Sequence, residues 1–457
     1  MTVSNHLFEF LHRPCHSTQS QIPASSLFSG AGISDVGHEL AGFKFYVQCE
    51  LDADRAELGK RNFPNSKWIV GDVQQKRVEI ARAYRQCAGN ARLSLLSLTP
   101  PCQGMSSSNP GRGKITNPEE SDHRNTLLLE ALPVVEALCP RIVVAENVAP
   151  LLNRVVEWRG QTKTIVQMFA DGLHDYRLFI GVIEMADYGI PQMRKRSILV
   201  AIHKDEPIIR RLEAKKLLPW PRPTHAQIPT LERKPWVSIR EWFETMNYPP
   251  LDARTKPRDS ELKLHFVPEY PKGDRRYEML ADIPAHSGQN GYANNLCPTC
   301  RKDSIPQDTA YCPRCGGVLF NRPIVKNKNG TWRLIKGFDS SYRRAAPDRP
   351  APTVTTNSSH LGSDNKIHPW ENRVLSVLEC ADLQTVPRFY DWSWALETRH
   401  NYVIRNVIGE ALPPYFAYLH GQVLAQMLSG KLPESKLSRA GVDGQERSSA
   451  ATNHRDG

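Results

Sequence analysis

The sequence predicts an α/β fold: a doubly wound, Rossmann-like, largely parallel sheet, with a smaller irregular module set between its two parts. Between Ser25 and His203, short apolar runs alternate with stretches of helical periodicity: SSLF, FKFYVQC, WIV, ARLSLLSL, RIVVAEN, YRLFIGVIE and SILVAI. Such runs read as buried strands, and their alternation with helices reads as a sheet covered on both faces. From about Asp205 to Arg349 the texture changes to Pro-rich, charge-rich sequence with few long helical patterns. After Pro350 helical periodicity returns in ENRVLSVLECADLQ and FAYLHGQVLAQMLSG.

These boundaries divide the chain into a polar N-terminal extension (1–24), the first part of the sheet domain (25–204), a middle module (205–349), a returning part (350–430) and a polar tail expected to be disordered (431–457). A length of 457 residues, 40% hydrophobic, accommodates two or three domains, and no internal repeats are visible. The excess of 59 Lys+Arg over 48 Asp+Glu, a net charge of +11, favours a polyanionic partner. MTVSNHLFEFLHRPCHSTQSQ lacks the apolar run of a signal peptide and no later segment approaches a membrane span, so a soluble cytoplasmic protein is expected. Of the ten cysteines, Cys49, Cys87, Cys139 and Cys380 stand singly in apolar surroundings and four form CxxC pairs, which fits metal binding or catalysis better than a disulfide framework.

In doubly wound sheets ligands sit beyond the carboxyl ends of the strands, so the residues ending each apolar run are the functional candidates. SSLF is followed by SGAG, where Gly30 and Gly32 permit a tight turn and close ligand approach. FKFYVQC ends in Glu50, placed to accept hydrogen bonds from ribose hydroxyls, and WIV ends in Gly71 and Asp72, an acid that can take an adenine amino group. Together they suggest an adenosine-containing cofactor; the incomplete GxGxxG argues against a dinucleotide.

The fourth run leads into TPPCQGMSSS, where two prolines stiffen the chain before Cys102 and small residues behind it expose the thiol. The fifth ends in Glu146 and Asn147, placing a carboxyl at the same sheet edge. A thiolate beside a carboxylic acid suits attack on an electron-poor pyrimidine: cytosine accepts a methyl group poorly until a nucleophile adds at carbon 6 and a proton at N3 offsets the developing charge.

The ordered set FSGAG, CELDADR, GDV, TPPCQGMS, AENV, QMRKR and IGEALPP resembles the motif series of the DNA cytosine-carbon-5 methyltransferases over residues 25–203 and 343–430. The resemblance implies an S-adenosyl-L-methionine-dependent enzyme. Cys102 would add to carbon 6, and Glu146 would bind the exocyclic amino group and protonate or polarise N3. Arg196 would hold the base and the Cys102 loop, with Arg194 alongside. Phe28, Gly30, Gly32, Glu50, Leu51, Asp72 and Pro100 would surround the cofactor, and Asn147 would brace the loop. In one place the sequence departs from the family: the last motif commonly reads GNAVPP, and here it is Gly409-Glu410-Ala411-Leu412-Pro413-Pro414. A Glu is longer and charged, and Glu410 could pair with the cofactor's amino group. The helix after Pro414 should pack back onto the first part, making the catalytic domain discontinuous.

Within the middle module, Cys297-Pro-Thr-Cys300 and Cys312-Pro-Arg-Cys315-Gly-Gly have the spacing of a four-thiolate tetrahedral site, read as a structural zinc ribbon over about 295–318 with iron as the alternative. Nearby Arg275, Arg276, Arg301, Lys302 and Arg314 could meet phosphates. By the resemblance, this module occupies the place of the target recognition region.

The resemblance implies double-stranded DNA as substrate, with the target base flipped out of the helix, and a monomer serving bacterial restriction-modification or phage defence, partnered by a cognate endonuclease or other defence proteins. A transfer RNA methyltransferase is the first alternative, countered by the length of the middle module. A catalytically silent DNA-binding protein is the second, countered by the presence of Cys102, Glu146 and Arg196.

Overall fold

The computed structural model describes residues 5–14, 21–101, 126–254, 263–271, 273–337, 340–363, 366–398 and 400–441. Each of the seven apolar runs forms a strand: β1 (Ile22–Leu27), β2 (Phe43–Glu50), β3 (Lys67–Val70), β4 (Leu95–Leu98), β5 (Ile142–Asn147), β6 (Tyr176–Glu184) and β7 (Lys195–His203). They make one sheet in the order β3-β2-β1-β4-β5-β7-β6. The first five are parallel, and β7 runs antiparallel to both its neighbours. The winding direction reverses between β1 and β4, which opens a crevice at their carboxyl ends.

Alternate residues of the central strands serve opposite layers. Leu95, Ile142, Val144, Ile198, Val200 and Ile202 face one core. Leu96, Leu98, Val143, Ala145, Leu199 and Ala201 face the other, under α4 (Val73–Ala88), α5 (Leu132–Leu138) and α6 (Ile165–Gly172). The first core is capped by α2 (Ile33–Leu40), α3 (Ala53–Asn62), α7 (Ile239–Met246), α8 (Val377–Leu383), α9 (His400–Glu410) and α10 (Pro414–Leu428). Helix α10 lies directly on α2: a Cβ at Gly37 would sit 2.1 Å from the Pro414 carbonyl oxygen and 2.8 Å from Ala417 Cβ. Chain from beyond residue 350 thereby shares the core of the first part.

Four expected boundaries differ in the structure. The N-terminal extension contains α1 (Asn5–His12), whose Leu7, Phe10 and Leu11 are buried in the first core. Each such side chain contributes about 1.5–3 kcal/mol, enough to order a short helix. The expected tail contributes Leu437–Arg439, which pairs antiparallel with Leu217–Pro221 and buries Leu437 and Ser438. Residues 205–246 belong to the first core through Trp220, Trp242 and Phe243. A separate second core begins with Ala253, Val267, Tyr270, Met279, Leu280 and Ile283 and is completed by Leu361, Ile367 and Val374 from beyond residue 350. Among the described residues no helix is long and apolar enough to cross a membrane.

Behind the β1 turn, Asp35 of α2 is buried and accepts hydrogen bonds from Ser26 Oγ (2.6 Å) and Gln48 Nε2 (2.8 Å). Burial pushes its carboxyl up to about 7, outweighing the two hydrogen bonds. The folded carboxyl holds its proton more tightly than the unfolded one. Its stabilising contribution is therefore complete below about pH 4 and lost as pH rises through about 7. Asp35→Asn, which keeps an acceptor for both donors, should remove this loss. Across that window the wild type should fall relative to the variant by up to about 4 kcal/mol in urea unfolding. Parallel pH profiles for the two proteins would contradict the assignment.

Candidate active site and cysteine cluster

The parallel strands end at one edge of the sheet, and β7, running the other way, begins there. After β1 the backbone passes through left-handed φ at Phe28 (59°), Gly30 (55°) and Gly32 (73°). Thr99 Oγ1 donates to the Phe28 carbonyl at 2.9 Å, tying this turn to the end of β4. Glu50 is buried and fixed from both sides: Gly30 N donates to Oε2 at 2.8 Å and Asp52 N to Oε1 at 3.0 Å. A Cβ on Gly32 would strike the Phe63 ring at 2.6 Å, whereas one on Gly30 would meet nothing within 4 Å. Gly30 therefore borders open space. Beside it lie half-buried Phe28 and Leu51, an apolar side chain left 70% exposed. Asp72 begins α4 and accepts from Gln74 N at 2.8 Å. Open space with apolar flanks and two acids at successive strand ends fits a nucleoside.

At the end of β5, Glu146 Oε1 lies 2.7 Å from Arg196 Nε, and both side chains are nearly buried. Burial raises the Glu146 carboxyl above its usual range, with Arg196 and Arg194 pulling against it. Asn147 Nδ2 donates to the carbonyl of buried Pro100 at 3.0 Å, and Asn147 Oδ1 accepts from Val148 N at 2.8 Å. The carboxamide thus clamps the chain just before the expected nucleophile. Cys102 itself lies outside the described residues.

Two expected site residues are engaged elsewhere. Arg194, expected beside the base, is fully buried; Nη1 donates to Val354 O (3.0 Å) and Nη2 to Gly409 O (2.9 Å) and Ala411 O (2.8 Å). Its charge acts on Glu146, and its hydrogen bonds fasten the last motif. Glu410, expected to meet the cofactor's amino group, is paired with Arg55 through two contacts of 2.9 Å. Arg55 lies within CELDADR, but a charge on a short helix reads as a solvated face, and its partner is 355 residues away. Ser34 was equally silent: its Oγ accepts from Leu412 N at 3.0 Å.

The four cysteines converge. Cys297 and Cys315 sulfurs are 3.8 Å apart, Cys300 and Cys312 sulfurs 3.7 Å, and all four lie within 4.8 Å of one another. Tetrahedral zinc with thiolates at 2.3 Å has sulfur–sulfur edges of about 3.8 Å. The two knuckles repeat one backbone pattern. Cys297 N bonds Lys302 O and Arg301 N bonds Cys297 O; likewise Cys312 N bonds Gly317 O and Gly316 N bonds Cys312 O. Arg301 and Gly316, equivalent in the two turns, both have left-handed φ (57° and 68°).

The fold is a doubly wound α/β sheet whose carboxyl edge carries open space beside Gly30 and a buried Glu146–Arg196 pair at the end of β5. The model of the family of C-5 cytosine-specific DNA methylases matches residues 23–424, and the chain belongs to that family. Among its relatives, the Type II methyltransferase M1.HgaI of Avibacterium volantium is 28% identical over 406 residues, covering 87% of this chain and 96% of that one. The Type II methyltransferase M.DdeI of Desulfomicrobium norvegicum is 23% identical over 425 residues, covering 88% and 87% respectively. The fold also matches a crystal structure from Escherichia coli, of a prophage-encoded protein assigned to DNA modification methyltransferases. That match has a TM-score of 0.50 and 20% identity and covers 90% of this chain and 100% of that one.

Arg194→Met keeps the length and deletes three charge-assisted bonds to the returning segment. The expected cost is about 3 kcal/mol or more, measured as a lower urea midpoint; an unchanged midpoint would show that the segment is held without it.

Proposed function

We propose that this protein transfers a methyl group from S-adenosylmethionine to carbon 5 of cytosine within specific sequences of duplex DNA, as the modification enzyme of a bacterial restriction-modification system. The observation that carries the reading is the buried Glu146–Arg196 pair, set beside the Asn147 clamp on Pro100, two residues before Cys102. The family match and the Type II relatives support the DNA substrate and the setting. Gly30, Glu50, Leu51 and Asp72 would hold S-adenosylmethionine, which when bound would supply an electrophilic methyl group, the bonding pair staying on its sulfur as a neutral thioether.

A target base can reach this edge only after leaving the helix stack. Arg196 holds the Glu146 carboxyl in place, while burial keeps a proton on it more readily than on an exposed acid. Glu146 delivers that proton, or a strong hydrogen bond, to N3 as the Cys102 thiolate forms a bond to carbon 6. Carbon 5 gains electron density and takes the methyl group. Loss of the carbon 5 proton to a base then restores the double bond and expels Cys102 as thiolate. On this mechanism Cys102→Ser abolishes turnover while leaving cofactor binding near wild type, and Glu146→Gln slows transfer by about 10²-fold or more. Methyl transfer to duplex DNA, assayed with both variants, checks this; substantial transfer by Cys102→Ser would remove the covalent step.

The middle module serves target recognition in this reading, and Cys297, Cys300, Cys312 and Cys315 hold a structural zinc ion. Their local core has little else: among the described residues Ile305 and Leu319 are its only other buried apolar members. Metal binding would therefore supply folding free energy that apolar burial does not. Replacing Cys297 and Cys300 by Ser should remove about one zinc per chain and weaken DNA binding and methylation together, with cofactor affinity preserved. Purified wild-type protein free of zinc by metal analysis, or a double variant with unchanged DNA affinity, would contradict this.

A further inference from the structure

Glu410 stands where the family carries an uncharged Asn, and its carboxylate has found a partner of its own. Arg55 Nη1 lies 2.9 Å from Oε2 and Arg55 Nη2 donates to Oε1 at 2.9 Å, a two-pronged guanidinium–carboxylate pair whose side chains are 21% and 29% exposed. The pair joins the C-terminal end of α9 to the first turn of α3. That turn begins at Asp52, whose Oδ1 accepts from Asp54 N (2.9 Å) and Arg55 N (3.0 Å) and whose own N–H holds Glu50 Oε1 at 3.0 Å. Only one residue separates the acid placed for the ribose from the cap of the helix that Arg55 anchors.

The neighbourhood explains why the pair is needed. Burial raises the Glu410 carboxyl, and Glu50 and Asp52 raise it further, while Arg55 opposes them. Arg55 thus serves two acids, Glu410 in the fork and Asp52 at 4.0 Å. The same short turn is gripped at its backbone by Arg194 and by Ser34. Gly409 packs so tightly on Thr355 that a Cβ there would sit 2.3 Å from its carbonyl carbon. The turn is therefore rigidly placed, and a charge added to it needs a counter-charge where it stands.

We infer that Arg55 is a positioning residue of the cofactor site: with Glu410 it forms a latch between the returning segment and α3 that holds the backbone fixing Glu50. The latch rests on the reading of this crevice as the S-adenosylmethionine site. It assigns Glu410 to Arg55 and not to the cofactor.

A double-mutant cycle on the full-length protein tests it, with Arg55→Gln, Glu410→Gln and the pair together. The readout is the dissociation constant for S-adenosylmethionine without DNA, with thermal unfolding followed separately. Arg55→Gln should weaken cofactor binding by about tenfold, since it leaves Glu410 facing two acids without a cation. That loss should shrink as pH is lowered, because burial and the neighbouring acids raise the lone Glu410 carboxyl and it takes up a proton more readily than an exposed acid. The double variant, with a neutral pair, should bind within about threefold of wild type and better than either single variant. If Arg55→Gln does not fold, Arg55→Lys, which keeps the charge and loses the fork, takes its place in the cycle. Additive losses, or a double variant as weak as Glu410→Gln alone, would overturn the latch, the second by making Glu410 a cofactor ligand. Wild-type protein that binds no S-adenosylmethionine would overturn the functional reading itself.

Discussion

A guanidinium without access to water must find its hydrogen bonds inside the protein, and Arg194 finds them on chain 160 and 215 residues away. Its partners are the carbonyls of Val354, Gly409 and Ala411. Withdrawing them would strand a buried charge, which costs several kcal/mol, so the segment after residue 350 is held to the start of β7. The constraint acts in both directions. Arg194 N donates to Glu184 Oε1 at 2.6 Å and Met185 N to Arg194 O at 3.1 Å, which fixes the entry to β7 against the end of β6. Arg196, two residues on, therefore meets Glu146 from a preset position, and the Gly409–Leu412 turn is set against α3 by the same anchor.

Two of the acids at this edge, Glu50 and Glu146, are held in different ways. Glu50 accepts two backbone N–H groups, an environment that fixes oxygen lone pairs in space and suits hydrogen-bond acceptance. Glu146 is buried to the same degree, but its carboxyl is raised by burial and restrained by two arginines. A carboxyl poised between these opposing influences can give up or retain a proton at modest cost, as acid–base work requires.

Much of this was legible in the sequence because strands and their ends are local features. Seven apolar runs became seven strands, with Glu50 ending β2, Glu146 and Asn147 ending β5, and Asp72 two residues past β3 at the start of α4. What was not legible depends on reach across the fold. The roles of Arg194 and Arg55 are set by partners hundreds of residues away, and no periodicity encodes such a pairing. Leu7, Phe10 and Leu11 form too short a helix to stand out in polar sequence, and the strand Leu437–Arg439 has one large apolar residue. Both segments are ordered by the core they dock on, which a local reading cannot see. Leu361, Ile367 and Val374 are similarly scattered and reveal their common core only in three dimensions.

The irregular module shows the same device as the catalytic edge. Chain without long ladders leaves many carbonyls unpaired, and a buried carbonyl needs a donor. Arg344 supplies donors to the carbonyls of Leu280, Ile283, His368 and Glu371, binding both halves of the second core together. Arg322 does so for Asn294, Ile305, Pro306 and Thr309 around the cysteine cluster. Both arginines are almost wholly buried. A lysine could not replace them: its three donors diverge from one point, whereas a planar guanidinium spreads five toward separate strands of chain. Arginine thus takes the place of secondary structure where the sequence forms little. At the cysteine cluster it braces the loops from outside the four sulfurs.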